Sequence, residues 1–537
     1  MLVLAGTVIA AYVAGLFVDV TRDASKYAAI AREIARTGDF IHLQVEGDPY
    51  LQKPPLMFWL SALSYLIFGV NNFAFKLPLL LFSFFGIYST YRLGKTLFGR
   101  ETGMVAAILL SSTVISWLYN MDIHTDTLMQ SLVVFSLWQL ADFLQKGRWV
   151  NLFMGFTGVG MAMLVKGPVG AVIPAFAVAG SLVFTGRFRK LLNPRWYIGI
   201  VLALICTLPA LIGLFNQFGW EGVRFFLWSN NLGRLAGDYS ASDRNVFYYL
   251  YNLLLFFLPW SLFLLVSLSL DFKRLFRRKF RAADWFLFSG IWFYFILISL
   301  SGSKLPHYLY ATIPLFSLMT ARYLVLALSG KHIRFYLFLR NIQGIVLVLF
   351  LALIAVLVFS LYPPGHLWQW AFLLLLTIIA GLFLFSGKYP PVKLFFPSLA
   401  LFALVTFYLN QQVAPQIFGD QASVKAAGHF NLKAGVEEQM YNYNYDSHEL
   451  YFYCRDDVSR VKNDVHLWEL MKSPGNWVLT TREVVDRMPS GMFPEPVKTP
   501  LSHVWINKLS FKYLHPATRA SARDTLILLR SAGSGPK

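Results

Sequence analysis

Ionisable side chains placed where a chain leaves a run of apolar residues are costly near lipid and usually serve a site. This 537-residue chain has a series of them. Asp23 follows the first apolar block, and Lys53 sits in Tyr50-Leu-Gln-Lys-Pro-Pro-Leu. Asp122 and Asp126 lie in Asn120-Met-Asp-Ile-His-Thr-Asp. Their i, i+4 spacing predicts that both carboxylates share one face at the opening of a helix. Lys166 is in Leu164-Val-Lys-Gly-Pro, Arg234 in Ser229-Asn-Asn-Leu-Gly-Arg, and Lys304, His307 and Tyr308 in Ser301-Gly-Ser-Lys-Leu-Pro-His-Tyr. Lys and Arg in such places can stabilise charge developing on an anionic leaving group, and a carboxylate nearby can take a proton. Each residue also has a plainer reading. An Asp at a helix start is commonly an N-cap or dipole partner. A Lys or Arg at a helix end anchors by snorkelling, Lys-Pro-Pro breaks a chain, and His307 reads equally as packing or function. The functional reading gains from convergence, because the elements around these residues put all of them on one side of a bilayer.

Those elements are apolar blocks of a length to span a membrane. Apolar residues make up 56% of the chain and charged ones 14%, against roughly a quarter charged in soluble domains. The blocks predict thirteen helices at about 1–18, 77–98, 102–120, 124–144, 149–165, 168–186, 196–215, 246–270, 284–301, 307–329, 341–361, 367–386 and 394–412. Block 1–18 lacks the basic n-region and cleavage site of a signal peptide and reads as a retained helix, short enough to leave room for an upstream start codon. The apolar segment 55–70, opened by Pro54 and Pro55, reads as a helix lying along the interface. A net charge of +19 raises the question of nucleic acid. The cations, however, occupy short clusters on alternate connections: Arg92/Lys95/Arg100, Lys146/Arg148, Arg187 to Arg195, Lys273 to Arg281, Lys331/Arg334/Arg340 and Lys388/Lys393. That is the positive-inside pattern and excludes a nucleic-acid surface. It predicts a cytoplasmic N-terminus and an outer C-terminus.

The outer side then holds a loop at 19–76 with the amphipathic stretch Tyr27-Ala-Ala-Ile-Ala-Arg-Glu-Ile, a second loop at 216–245, and the polar tail 413–537. The amphipathic stretch predicts a helix on the membrane surface. The tail alternates strand-like runs (Val436 to Cys454, Trp477 to Thr481, Val504 to Leu509, Thr525 to Leu529) with helical ones (Ser423 to Leu432, Arg482 to Met488). It reads as a small extracytoplasmic α/β domain beside a transmembrane catalytic domain, 1–412. Cys206 and Cys454 give neither zinc spacing nor a disulfide framework.

The run from Asp23-Ala-Ser-Lys-Tyr to Leu51-Gln-Lys-Pro-Pro-Leu-Met-Phe-Trp resembles the first outer loop of bacterial aminoarabinose transferases and related protein mannosyltransferases, membrane glycosyltransferases of the GT-C type. The resemblance continues through Asp126, Leu164-Val-Lys-Gly-Pro, Asn231-Leu-Gly-Arg, Leu258-Pro-Trp and Ser303-Lys-Leu-Pro-His-Tyr, and covers about residues 1–330. It implies a polyprenyl-phosphate sugar donor, undecaprenyl phosphate being the bacterial carrier, and action on the periplasmic face of the bacterial inner membrane. It also implies a general-base or acceptor-positioning role for Asp23, with Asp126 as rival or helper, and donor-phosphate contacts at Lys53, Arg234 and Lys304. Asp122, Lys166, His307 and Tyr308 are further candidates for substrate contact. Three positions depart from the family pattern: Ala24 where Glu usually follows the Asp, Gln52 where Glu precedes Lys-Pro-Pro, and Ser229-Asn230 where Glu-His is common. The lost Glu and His remove the obvious metal ligands. No cofactor is expected, although a divalent metal is not excluded.

The reading is an inverting glycosyltransferase with a lipid A-like glycolipid or a protein as acceptor. The alternative is a flippase or transporter of a lipid-linked saccharide, which would need charges near mid-helix and broken spans. The charges here crowd one face instead. A reporter fused after Gly419 should behave as extracytoplasmic and one after Arg278 as cytoplasmic; a cytoplasmic reporter at 419 would overturn the topology.

Overall fold

The computed structural model describes every residue except 1, 234–244, 330–331, 386–389, 446, 490, 492–493, 507–508 and 533–537. The chain is a predominantly helical integral membrane protein. Among the described residues seven helices are long and apolar enough to cross a bilayer. An eighth span results if Arg100–Ser111 and Val114–Met121, bent by 51°, count as one. The blocks expected at 1–18 and 168–186 form the shorter helices Leu2–Gly15 and Val169–Val183, and those at 367–386 and 394–412 form Leu367–Phe385 and Pro390–Tyr408. The block expected at 246–270 is interrupted: helix Tyr248–Phe256 ends before Pro259, and a second helix runs Ser261–Phe276. Proline has no N–H to continue the ladder there.

Close helix packing follows from small residues. The antiparallel pair Asn72–Phe98 and Arg100–Ser111 meets at Gly94 and Gly103, where a Cβ on Gly94 would stand 2.6 Å from the Gly103 Cα. Polar bonds fix one end of the bundle. Thr96 donates to Asp142 Oδ1 (2.8 Å), Gln145 donates to the Thr96 carbonyl (3.0 Å), and Arg195 donates to the Gly147 carbonyl (3.2 Å). Arg322 pairs with buried Asp271 and Asp284 while its guanidinium lies 5.0 Å from the Phe98 ring centre. Arg274 joins the same carboxylate, Asp284. The basic clusters around 92–100, 146–148, 187–195 and 273–281 therefore meet at one end, as their alternation along the chain predicts.

The opposite end is organised around the segment 16–76. Buried Lys76 donates to the carbonyls of Gly15 (3.1 Å) and Val18 (2.7 Å), satisfying orphan acceptors where the first helix stops. The amphipathic stretch forms helix Arg22–Thr37, and its buried face includes Ala24, Tyr27, Ile30 and Ile34. This face does not rest on open membrane. It packs on helix Leu56–Phe68 and on the late helix His448–Tyr453. Helix Leu56–Phe68 leaves Leu63, Leu66, Ile67 and Phe68 exposed, as an interfacial helix should.

From Ala422 onward the chain builds a five-stranded sheet in the order Val458–Arg460, Gln439–Asn442, Asn476–Thr481, Asp524–Arg530, Val497–His503. The first three strands are parallel and the last two pair antiparallel. Period-two alternation gives the sheet two apolar faces. Trp477, Leu479, Leu526 and Leu528 meet Ala426 and Phe430 of helix Ala422–Lys433. Val478, Ile527 and Leu529 meet Leu467 and Met471 of helix Asp464–Lys472.

Two expectations for this region fail. Among the described residues of the run 436–454 only Gln439–Asn442 is strand, because Ser447 accepts the Leu450 N–H and starts helix His448–Tyr453. The strand expected at 504–509 lies earlier, at Val497–His503. Pro500 disguised it, and an edge strand is where proline is tolerated.

Candidate active site

Helix Thr125–Lys146 carries Asp126 in its first turn, where the positive end of the helix dipole favours a carboxylate. The neighbouring helix, Trp149–Lys166, stops at Gly167, whose φ of 79° suits glycine and is followed by Pro168. That stop sets Lys166 at the end of its helix, facing Asp126. The Lys166 Nζ lies 2.5 Å from Asp126 Oδ1, and the two residues are 9% and 0% exposed. Burial this complete means that neither charge is tolerable without the other. The second oxygen, Asp126 Oδ2, has no hydrogen-bond partner among the described residues. His307 Nε2 stands 3.8 Å from it.

Around the pair lies an aromatic shell. The Lys166 ammonium sits 4.4 Å from the Tyr308 ring centre, a cation–π contact. The His307 and His124 rings stack with centroids 5.0 Å apart, and Tyr119 packs edge-on against both. Burial by itself would depress the His124 imidazole. Contact with Asp122 and the charges of Asp122, Asp126 and Asp23 outweigh it and raise its pKa above the ordinary value. Tyr27, on helix Arg22–Thr37, is held well above the usual phenol range, first by burial and then by Tyr50, Asp23, Asp126 and Tyr308. The electrostatics of Asp23 and Asp126 thus overlap on two side chains of one site.

Lys53 joins this region directly. It lines a cleft together with Tyr50, Gln52, Lys166 and Gly167, so Lys53 and Lys166 share one wall. Asp23 sits in the first turn of its helix, 58% exposed, with Lys26 Nζ at 3.8 Å. Lys304 is buried in the turn before Pro306–Thr312, the short helix that carries His307 and Tyr308. Arg234 lies outside the described residues.

Asp122 is a correction. It does not share a helix face with Asp126, because it ends helix Val114–Met121 while the next helix begins at Thr125. Nor is it the N-cap, a place taken by His124. Its carboxylate instead stands 3.8 Å from His124 Nε2. The i, i+4 argument failed because the Met121–Thr125 turn interrupts the helix between the two aspartates. His124, Tyr119 and Lys76 were not singled out from the sequence. A His between two Asp residues was the available signal for the first; nothing distinguishes Lys76 from a snorkelling lysine before its partners are known. Among the described residues no group of three or more His, Cys, Asp or Glu side chains is placed to hold a metal ion.

Comparison with known proteins gives this geometry a context. The pattern of the dolichyl-phosphate-mannose-protein mannosyltransferase family matches residues 52–212. An undecaprenyl phosphate-alpha-4-amino-4-deoxy-L-arabinose arabinosyl transferase of Yersinia enterocolitica is 26% identical over 355 residues, covering 64% of this chain and 62% of its own. The like-named protein of Pseudomonas savastanoi is 27% identical over 367 residues, 66% of each chain. The chain thus spans a little under two thirds of the length of these curated relatives. The crystal structure of ArnT from Cupriavidus metallidurans bound to undecaprenyl phosphate superposes with a TM-score of 0.77 at 17% identity, covering 100% of this chain and 99% of that one. At that identity the likeness establishes the fold. The resemblance to GT-C membrane glycosyltransferases read from the sequence is borne out.

The buried pair makes a measurable prediction. Lys166→Met or Asp126→Asn alone should each destabilise the protein by about 3–5 kcal/mol, because each strands a buried partner. The double variant should lose less than the sum. Additive losses, read from melting of all four proteins in one detergent, would show that the two side chains are not coupled.

Proposed function

We propose that this chain is an inverting glycosyltransferase that moves a sugar from a polyprenyl-phosphate donor to a lipid A-like or protein acceptor on the periplasmic face of a bacterial inner membrane. The reading takes the chain as thirteen spans, N-terminus cytoplasmic, with 1–412 as the catalytic membrane domain and 413–537 as a periplasmic α/β domain. Its main support is the cleft wall shared by Lys53 and Lys166 beside the Asp126 carboxylate, at the end of the bundle away from the basic clusters. An anionic donor headgroup needs cations there, and the two similar arabinosyl transferases are named for undecaprenyl phosphate.

In this reading the acceptor hydroxyl oxygen attacks the anomeric carbon as its bond to the phosphate oxygen breaks. The hydroxyl proton passes to the Asp23 carboxylate, which is exposed on the outer loop. General base catalysis of this kind contributes about 10²–10⁴ in rate. The polyprenyl phosphate leaves with an extra negative charge, stabilised by Lys53, Arg234 and Lys304. Asp126 is already committed to Lys166. It therefore serves by holding that ammonium, Tyr308 and His307 in place, with its second oxygen able to accept a hydrogen bond from substrate.

Asp23→Asn should lose most turnover, at least a hundredfold, while undecaprenyl phosphate still binds. Lys53→Ala should instead weaken donor binding by about 1.5–3 kcal/mol, the range for a charge-assisted bond. Turnover and donor affinity measured on the same purified preparations test both assignments. Near-normal turnover for Asp23→Asn beside a collapse for a correctly folded Asp126→Asn would exchange the two aspartates.

A further inference from the structure

The helical bundle holds a second cavity, away from the Lys166–Asp126 pair and towards the end where the basic clusters meet. It encloses about 650 Å³, within the range of about 300–1,000 Å³ usual for ligand pockets. Helices Leu2–Gly15, Arg100–Ser111, Ile313–Leu328 and Pro390–Tyr408 contribute walls to it, among them Val8, Val105, Ile108, Val325 and Leu399. At one end stand Glu101 and Ser329, where one helix starts and another stops. At the other stand Tyr12 and Ser111, and the Tyr12 hydroxyl donates to the Ser111 carbonyl (2.9 Å). Just beyond Ser111 the chain bends by 51° into helix Val114–Met121. The helical rise from Glu101 to Ser111 is about 15 Å at 1.5 Å per residue. That is half of a hydrocarbon core roughly 30 Å thick, the depth of one leaflet. Ile9 and Met104 line the cavity and are still exposed, so it opens sideways towards lipid.

We propose that this cavity binds one phospholipid from the leaflet at the basic end, with an acyl chain inside and a primary ammonium headgroup held at Glu101. The walls decide what can fill it. Their hydroxyls are already spent on the chain itself: Tyr12 as above, Ser111 on the Ile108 carbonyl (3.0 Å) and Ser329 on the Leu326 carbonyl (2.8 Å). A water molecule needs polar partners to stay in such a space, so hydrocarbon suits it better. Left empty, the lining side chains would forfeit packing contacts on one side. A second copy's spanning helix does not fit, being about 10–12 Å wide with its side chains and crossing both leaflets. A polyprenyl carrier chain is much longer than one leaflet is deep. The headgroup follows from Glu101, the one charged side chain among the described lining residues. Arg100 precedes it in the chain, at the end of the bundle that gathers the basic clusters. An acid set among cations complements a zwitterion, ammonium towards Glu101 and phosphate towards Arg100. An anionic headgroup would meet the acid without an ammonium to offset it. A chain lodged here packs against Leu2–Gly15, the helix that leads to Asp23.

The test uses the purified full chain, delipidated in detergent, with palmitoyl-oleoyl phosphatidylethanolamine, the matching phosphatidylglycerol and undecaprenyl phosphate as probes. In native mass spectrometry the wild type should retain one phosphatidylethanolamine about fivefold more tightly than phosphatidylglycerol, the upper range for an exposed ion pair. Glu101→Gln should remove that preference. Ile108→Trp puts an indole into the cavity and should weaken retention of both phospholipids by at least about tenfold, since the acyl chain is what it displaces. Phosphatidylethanolamine should raise the melting temperature of the wild type and leave that of Ile108→Trp unchanged. A phosphatidylethanolamine carrying a mid-chain diazirine should crosslink the wild type at 104–111, 325–329 and 395–399, a readout that depends on no variant's folding. Crosslinks spread over lipid-facing stretches such as 345–356 would make the lipid merely annular and overturn the site. A folded Ile108→Trp that keeps its lipid overturns it too. Equal retention of the two phospholipids by the wild type, an unchanged preference in Glu101→Gln, or displacement of phosphatidylethanolamine by undecaprenyl phosphate would each overturn the occupant proposed.

Discussion

A lysine and an aspartate with almost no exposure to solvent cannot both stay charged unless they stay together. The Lys166–Asp126 contact is that constraint, and the surrounding geometry depends on it. It ties the start of helix Thr125–Lys146 to the end of helix Trp149–Lys166 at one level of the bundle. Through the Lys166–Tyr308 contact and the His307–Asp126 approach it also fixes the short helix Pro306–Thr312. Positions 126, 166 and 307 are thereby brought together. Lys53 lines a cleft with Lys166 from the segment 16–76, next to the Pro54-Pro55 start of helix Leu56–Phe68.

The sheet-forming segment reaches this site through the segment 16–76. The Tyr453 hydroxyl accepts the Val20 N–H (2.8 Å) and donates to Asn72 Oδ1 (2.9 Å), while Asn72 donates to Asp19 Oδ1 (2.9 Å). Arg32 donates to the carbonyls of Tyr451 (2.7 Å) and Cys454 (2.6 Å), and Glu46 pairs with both His448 and Arg460. With Lys76 closing the end of the first helix, these bonds set the position of Asp23 from both sides. The exposed end of helix Arg22–Thr37 is thus a rigid platform, and a carboxylate on it keeps a fixed relation to the cleft.

Much of this was legible in the sequence where the signal was local. Apolar block length gave the long helices, though not the break at Pro259, and alternation of basic clusters gave the end on which Thr96, Asp142, Arg195 and Arg322 meet. Lys53, Asp126, Lys166 and His307 come together because helix ends at one level of a bundle are neighbours. What was not legible depended on partners far along the chain. Asp122 and Asp126 looked like one helical face because nothing in Met-Asp-Ile-His-Thr-Asp announces a turn. Lys76 is recognisable as a helix-end donor only once Gly15 and Val18 are beside it. The contacts of Tyr445 with His503 and Trp505 join two strand ends that pair with different neighbours, and Pro500 hid the strand leading into them.

The central claim is that one end of the bundle, between Lys53, Lys166 and the 304–308 turn, receives the phosphate of a lipid-linked donor. Hydrogen–deuterium exchange of the purified chain in nanodiscs, with and without undecaprenyl phosphate, tests it most directly. The account predicts protection of peptides covering 50–55, 164–168 and 301–308, with the opposite end around Asp271, Asp284 and Arg322 unchanged. Protection confined to that opposite end, with no change at 50–55 or 301–308, would contradict it.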